Sequence, residues 1–112
     1  MSVSFGGFHN ETATFKVTAE AEKGTPVIIS ENGTVQAAGD GDVFCGIIDN
    51  CDGSYASVQI YGEVTAKYSG TAPALGYTNL AASGVGVKAS ETGREYLVLS
   101  VDSTVGTVTF LM

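Results

Sequence analysis

The chain has 112 residues, 44% hydrophobic and only 15% charged, which excludes intrinsic disorder and allows one modest core. Twelve acids against five bases leave a net charge of −7, a sign that repels phosphate backbones and argues against nucleic-acid binding. No apolar run approaches the roughly 18 residues of a membrane span, and Met1-Ser2-Val3-Ser4-Phe5 has neither the basic region nor the apolar stretch of a secretory signal, so synthesis in the cytoplasm is expected.

Thirteen Val, five Ile and twelve Thr, stiff at χ1 and suited to a pleated surface, are punctuated by fifteen Gly that leave few windows for a helix. The composition predicts an all-β protein. Residues 1–12 contain Gly6-Gly7, show no alternation, and are expected to form a flexible N-terminal arm. Phe5, Phe8 and His9 are its candidate partner-binding residues. Residues 13–112 are expected to form a single β domain.

From Ala13 to Ala21 apolar and polar residues alternate with period two, which predicts a strand with one buried face. Pro26 to Ser30 is the next strand, and Asn32-Gly33 predicts a type I′ hairpin turn returning through Thr34 to Ala38. After the polar loop Gly39-Asp40-Gly41-Asp42, a strand is expected from Val43 to Asp49. Asp52-Gly53 signals a second hairpin returning through Tyr55 to Tyr61, with Ala56, Val58 and Ile60 on one face. Gly62 marks a bulge or bend before Val64, Ala66 and Tyr68.

Residues 69–75 read as a loop, and 76–83 fit either a short strand or a helical turn. A short strand over 84–89 and a final hairpin, 95–101 with 107–112, complete the chain. The hairpin's apolar faces include Leu97, Leu99, Val101, Val108 and Phe110. About nine short strands at close spacing predict a small barrel or sandwich, and no internal repeat is visible.

Chemistry-bearing patterns are sparse. His9 is the only histidine and lies in the expected arm, so neither a nucleophilic triad nor HExxH is expected. Gly84-Val85-Gly86-Val87-Lys88-Ala89 fits a loose G-x-G-x-x-A but alternates like a strand and lacks a following helix. Around Asp49-Asn50-Cys51-Asp52-Gly53 the acids of a calcium loop are missing, and Asp40 with Asp42 reads as a solvated loop. Cys45 and Cys51 match no common zinc or redox spacing. Cys45 is expected to be a small buried side chain and Cys51 a turn residue. No catalytic residue, no metal and no cofactor is expected, and the chain reads as a protein that is not an enzyme.

The runs Lys23-Gly24-Thr25-Pro26-Val27, Asp42-Val43-Phe44-Cys45-Gly46-Ile47-Ile48 and Val58-Gln59-Ile60-Tyr61-Gly62-Glu63-Val64 resemble those of a family of small tailed-phage proteins. Tyr68 to Tyr77 and Gly93-Arg94-Glu95-Tyr96-Leu97-Val98 extend the likeness, which covers roughly residues 14–112. The family is that of capsid cement, or head decoration, proteins.

The resemblance implies a non-catalytic structural protein of a phage or prophage. It would sit on the capsid exterior of the virion, bind the major capsid protein lattice, and form a homo-oligomer, with a trimer favoured. Neither nucleic acid nor membrane would be a partner. An arm of this kind could add a strand to a neighbour's sheet edge, through Thr12 to Ala21 with Phe5 and Phe8 beyond it. A different virion β module (tail or baseplate) and a small carbohydrate- or protein-binding sandwich are the alternatives. The absence of Trp weighs against sugar stacking.

Overall fold

The computed structural model describes residues 11–112, and ten strands fill them. β1 (Glu11–Val17), β2 (Pro26–Glu31), β3 (Thr34–Ala37), β4 (Gly46–Cys51) and β5 (Tyr55–Tyr61) close into one five-stranded barrel in the order β1-β3-β2-β4-β5. β6 (Glu63–Ser69), β7 (Gly76–Ser83), β8 (Gly86–Ala89), β9 (Arg94–Asp102) and β10 (Thr107–Leu111) close into a second, ordered β10-β6-β8-β7-β9. The all-β expectation therefore holds, with the architecture resolved into two small barrels. The segment 76–83, ambiguous in sequence, is a strand.

The second barrel repeats the first strand for strand. The first strand of each runs parallel to the third, with Lys16 opposite Thr34 and Lys67 opposite Gly86. Every other pairing is antiparallel, and β1–β5 corresponds to β6–β10, β2–β4 to β7–β9, and β4–β5 to β9–β10. Equivalent positions follow from the registers. Phe15 faces Ala56 as Ala66 faces Val108, and Ile48 faces Val58 as Val98 faces Phe110. The turns match as well, because the Asp52 carboxylate accepts the Ser54 and Tyr55 N–H groups and the Asp102 carboxylate those of Thr104 and Val105. The expectation of no internal repeat is corrected here: the repeat lies in topology and register.

Alternation selects the core where strands are regular. Ala56 and Val58 of β5 join Val27, Val35 and Ile48 inside the first barrel, with Phe15 and Val17 packed against them. The second barrel encloses Val64, Ala66, Leu80, Ala82, Val87, Tyr96, Val98, Val108 and Phe110. Phe44 comes from the loop before β4 but is buried in this second core. It stacks on Tyr96 at 5.2 Å between centroids and meets Phe110 edge-on at 6.3 Å. The same loop bonds Gly41 N–H to the Ala82 carbonyl and the Asp42 carbonyl to Ala82 N–H, both at 2.9 Å, while Tyr96 Oη donates to the Phe44 carbonyl at 3.1 Å. The two barrels are thus joined by a loop that the first lends to the second.

Several local expectations are corrected. The first strand stops at Val17 and begins at Glu11, so Glu11 and Thr12, assigned to the arm, pair with Tyr61 and Gln59. Asn32-Gly33 is not a type I′ turn, since Gly33 has φ 67° and no non-glycine residue described has positive φ. Ile60 is exposed because β5 bulges there: Glu11 faces Tyr61, Thr12 faces Gln59, and Ile60 falls between. Gly62, with φ 103°, forms the bend linking the barrels.

Candidate binding surface

Closure of both barrels fixes what a partner can use. Each strand described is paired on both sides, so no sheet edge is open for another chain. That overturns the expected strand addition by Thr12 to Ala21, because β1 is held between β3 and β5 of its own barrel. Recognition through the described residues must therefore use side chains on the barrel walls or on the loops that join the strands.

Two of the most exposed apolar side chains, Leu75 and Tyr77, lie together on the second barrel. The registers place Tyr77 of β7 opposite Leu97 of β9, and Leu97 opposite Leu111 of β10. Directly opposed residues of antiparallel strands hold their Cβ atoms about 4.5–5.5 Å apart, so the three form one row across the outer wall. Tyr77 is 72% exposed and Leu75, just before β7, is 68% exposed, while Leu97 and Leu111 are half-buried. Glu63 continues the row beyond Leu111, and Glu95 faces Asn79 one pair away on the other side. The wall is an apolar strip with an acidic border.

The sequence places Leu97 on an apolar face of the final hairpin. The structure buries its neighbours Tyr96 and Val98 instead and turns Leu97 outward. The cause is a register shift between Thr109 and Phe110, after which Ser100 pairs with Thr109 but Val98 pairs with Phe110. Leu99 is the extra residue of that bulge. The position equivalent to Leu97 in the first barrel is Ile47, which faces Gln59 as Leu97 faces Leu111. Ile47 is 5% exposed and belongs to the core cluster of the second barrel. One wall position is therefore a buried packing contact in the first barrel and half-buried on the outer wall in the second.

The remaining sequence candidates separate. Phe5, Phe8 and His9 lie outside the described residues. Asp40 pairs with Lys88 at 2.8 Å, and the Asp42 carboxylate accepts the Gly39 N–H at 2.9 Å, so these two acids organise the inter-barrel loop. Gly84 to Ala89 is a hairpin turn and strand. The cysteine roles are reversed from expectation: Cys45 is exposed, because Gly46 and Ile47 take the buried positions, and Cys51 ends β4 packed against the first core. Partial desolvation pushes the Cys45 thiol up and keeps it protonated. Among the described residues no three His, Cys, Asp or Glu side chains gather as a metal site would require.

No known protein family matches the chain, and no curated protein matches it.

Proposed function

We propose that the protein is a non-catalytic structural component of a tailed-phage particle that binds the outside of the capsid shell and stabilises it. The observation that carries this reading is the Leu75–Tyr77–Leu97–Leu111 wall, in which Leu75 and Tyr77 are exposed and Leu97 and Leu111 half-buried, on a barrel with no open edge. Exposed apolar patches rimmed by polar residues mark interaction surfaces. The acidic border and the net charge of −7 suit a partner surface that is apolar with basic neighbours, and disfavour contact with packaged DNA. The resemblance in the β2, β4 and β5–β6 segments supplies the identity of the partner, the major capsid lattice.

Stabilisation follows from mass action. A protein that binds the assembled lattice and not its dissociated subunits contributes RT ln(1 + [L]/Kd) per site, about 2.7 kcal/mol at a hundredfold excess over Kd. Repetition over many lattice sites multiplies that contribution.

The test combines two measurements. Mass spectrometry of intact, DNA-filled particles from the source strain should find this chain near stoichiometric with the major capsid protein. Leu75→Ala/Tyr77→Ala, which alters only exposed side chains, should keep the melting temperature and lose binding to shells stripped of accessory proteins. Absence of the chain from particles would refute the phage assignment, and undiminished binding by the variant would refute the role of the wall.

A further inference from the structure

A groove lined by both polar and apolar groups lies where the two barrels meet and shares no residue with the apolar wall. Its floor is the outer face of β6, where Thr65 and Lys67 point outward and Thr107 of β10 stands opposite Lys67. Glu22, Lys23 and Gly24 of the first barrel and Val85 of the β7–β8 turn form its sides, around a volume of about 350 Å³. A smaller hollow of about 150 Å³ continues it past Lys67 to Ser69 and Ser83, whose hydroxyls bond each other at 2.7 Å.

Two of the five cations of a strongly acidic chain line this one groove. Lys88 is paired with Asp40, and Arg94 lies 5.2 Å from the Tyr96 ring centroid. Among the described residues neither Lys23 nor Lys67 has an ion-pair or hydrogen-bond partner through its side chain, and the Thr107 hydroxyl also has none. Thr65 and Thr109 bond each other at 2.9 Å through their hydroxyls. Groups able to receive an anion are therefore gathered and unengaged.

The internal repeat adds an independent observation. Thr65 and Lys67 occupy the positions equivalent to Thr14 and Lys16, with hydroxyl residues opposite them in both barrels: Thr109 and Thr107 in the second, Ser57 and Tyr55 in the first. The buried residues between and around them differ, Phe15 against Ala66 and Val17 against Tyr68. All four Thr and Lys side chains are exposed on strands paired on both sides, so neither core packing nor edge protection accounts for the pair.

We propose that this groove binds a carboxylate, with Lys23 and Lys67 as its charge partners and Thr107 as a hydroxyl donor. The charge balance selects the ligand: two lysines and Glu22 leave one net positive charge, matched by a monoanionic carboxylate. A phosphate dianion would meet the Glu22 carboxylate uncompensated. The volume admits a carboxylate, whether an Asp or Glu side chain presented by another polypeptide or a free acid.

The experiment is an amide NMR titration of the full chain at constant ionic strength with N-acetylglutamic acid α-amide, which carries one carboxylate. Parallel titrations use acetate, to separate a free small acid from a side chain, and inorganic phosphate. Saturable shifts confined to Lys23, Gly24, Thr65, Lys67 and Thr107 are expected, with Lys67→Gln and Lys23→Gln each weakening binding about tenfold at unchanged melting temperature. Tighter binding of phosphate than of either carboxylate overturns the ligand assignment. Unsaturable shifts spread over the surface, or a Lys67→Gln variant that titrates like the parent, overturn the site. The groove shares no residue with the apolar wall, so these results stand independently of the capsid reading.

Discussion

Phe44 is the side chain on which the union of the two barrels depends, and Phe44→Ala measures it. The ring is 1% exposed, stacked within 14° of parallel on Tyr96, and it enters a core whose other members all come from the second barrel except Ile47. Truncating a buried Phe to Ala costs about 3–5 kcal/mol from lost transfer energy and the cavity left behind. The Tyr96 and Phe110 ring contacts place the loss toward the upper part of that range, since aromatic pairs add about 0.5–1.5 kcal/mol beyond burial. The backbone carbonyl that accepts the Tyr96 hydroxyl survives the substitution, so no buried donor is orphaned. For a domain of this size about 4 kcal/mol lowers Tm by roughly 16 °C or more. Calorimetry and guanidinium unfolding read the effect. The parent should unfold in one transition, whereas the variant should lose the second barrel first and show two. A loss below about 1 kcal/mol, or a variant that still unfolds in one step at a slightly lower midpoint, would refute the view that Phe44 couples the barrels.

Three other predictions concern the turns. Gly33→Ala should cost about 1–2 kcal/mol by chemical denaturation, because φ is 67° there and a Cβ meets nothing within 4 Å, leaving only left-handed backbone strain. Gly93→Ala should prevent folding of the second barrel, since its Cβ would collide with the backbone carbonyl of Leu80; equal melting temperatures for the two variants would refute this distinction. Asp52 accepts the Tyr55 and Ser54 N–H groups, which hold its carboxyl below the ordinary value of 3.8. A depressed folded pKa gives stability that is present above the unfolded pKa and is lost as pH falls through the folded one. Asp52→Asn should therefore flatten the decline of Tm below about pH 4, and an unchanged acid profile would contradict the assignment.

The strands were legible wherever the chain alternates without interruption. Ala56 and Val58 read as core and are core; Asp52-Gly53 reads as a turn and is one. Failures cluster at bulges, because a one-residue slip sends every following side chain to the opposite face. Ile60 and Leu97 are both such cases: β5 alternates intact in sequence, β9 carries the unbroken apolar run Tyr96 to Leu99, and in both only the partner strand reveals the extra residue. The apolar wall was invisible for this reason. Its central residue, Leu97, has the hydropathy of a core residue and sits next to two that are buried. Tyr77 and Leu75 fell in stretches without decisive periodicity, so no signal linked them to Leu97 before the β7–β9 register was known.

The repeat was hidden by the way each barrel fills its interior. The first places its large ring on the first strand, Phe15, opposite Ala56; the second puts Ala66 there and Phe110 on the last strand, where the first has Val58. Gly46 admits no Cβ, because the Val58 side chain and the Gln59 carbonyl already occupy that space at 2.5 and 2.7 Å, whereas Tyr96 of β9 supplies an aromatic ring to the other core. Interiors close-packed to similar density tolerate such exchanges if total volume is kept, so residue identity drifts while register does not. What stays matched is what the backbone requires and what solvent sees. Asp52 and Asp102 cap equivalent turns, and Thr14-x-Lys16 and Thr65-x-Lys67 recur on equivalent outer faces. The capping pair follows from what the turn backbone requires, and on the outer face the Thr65–Thr109 hydroxyl bond ties β6 to β10.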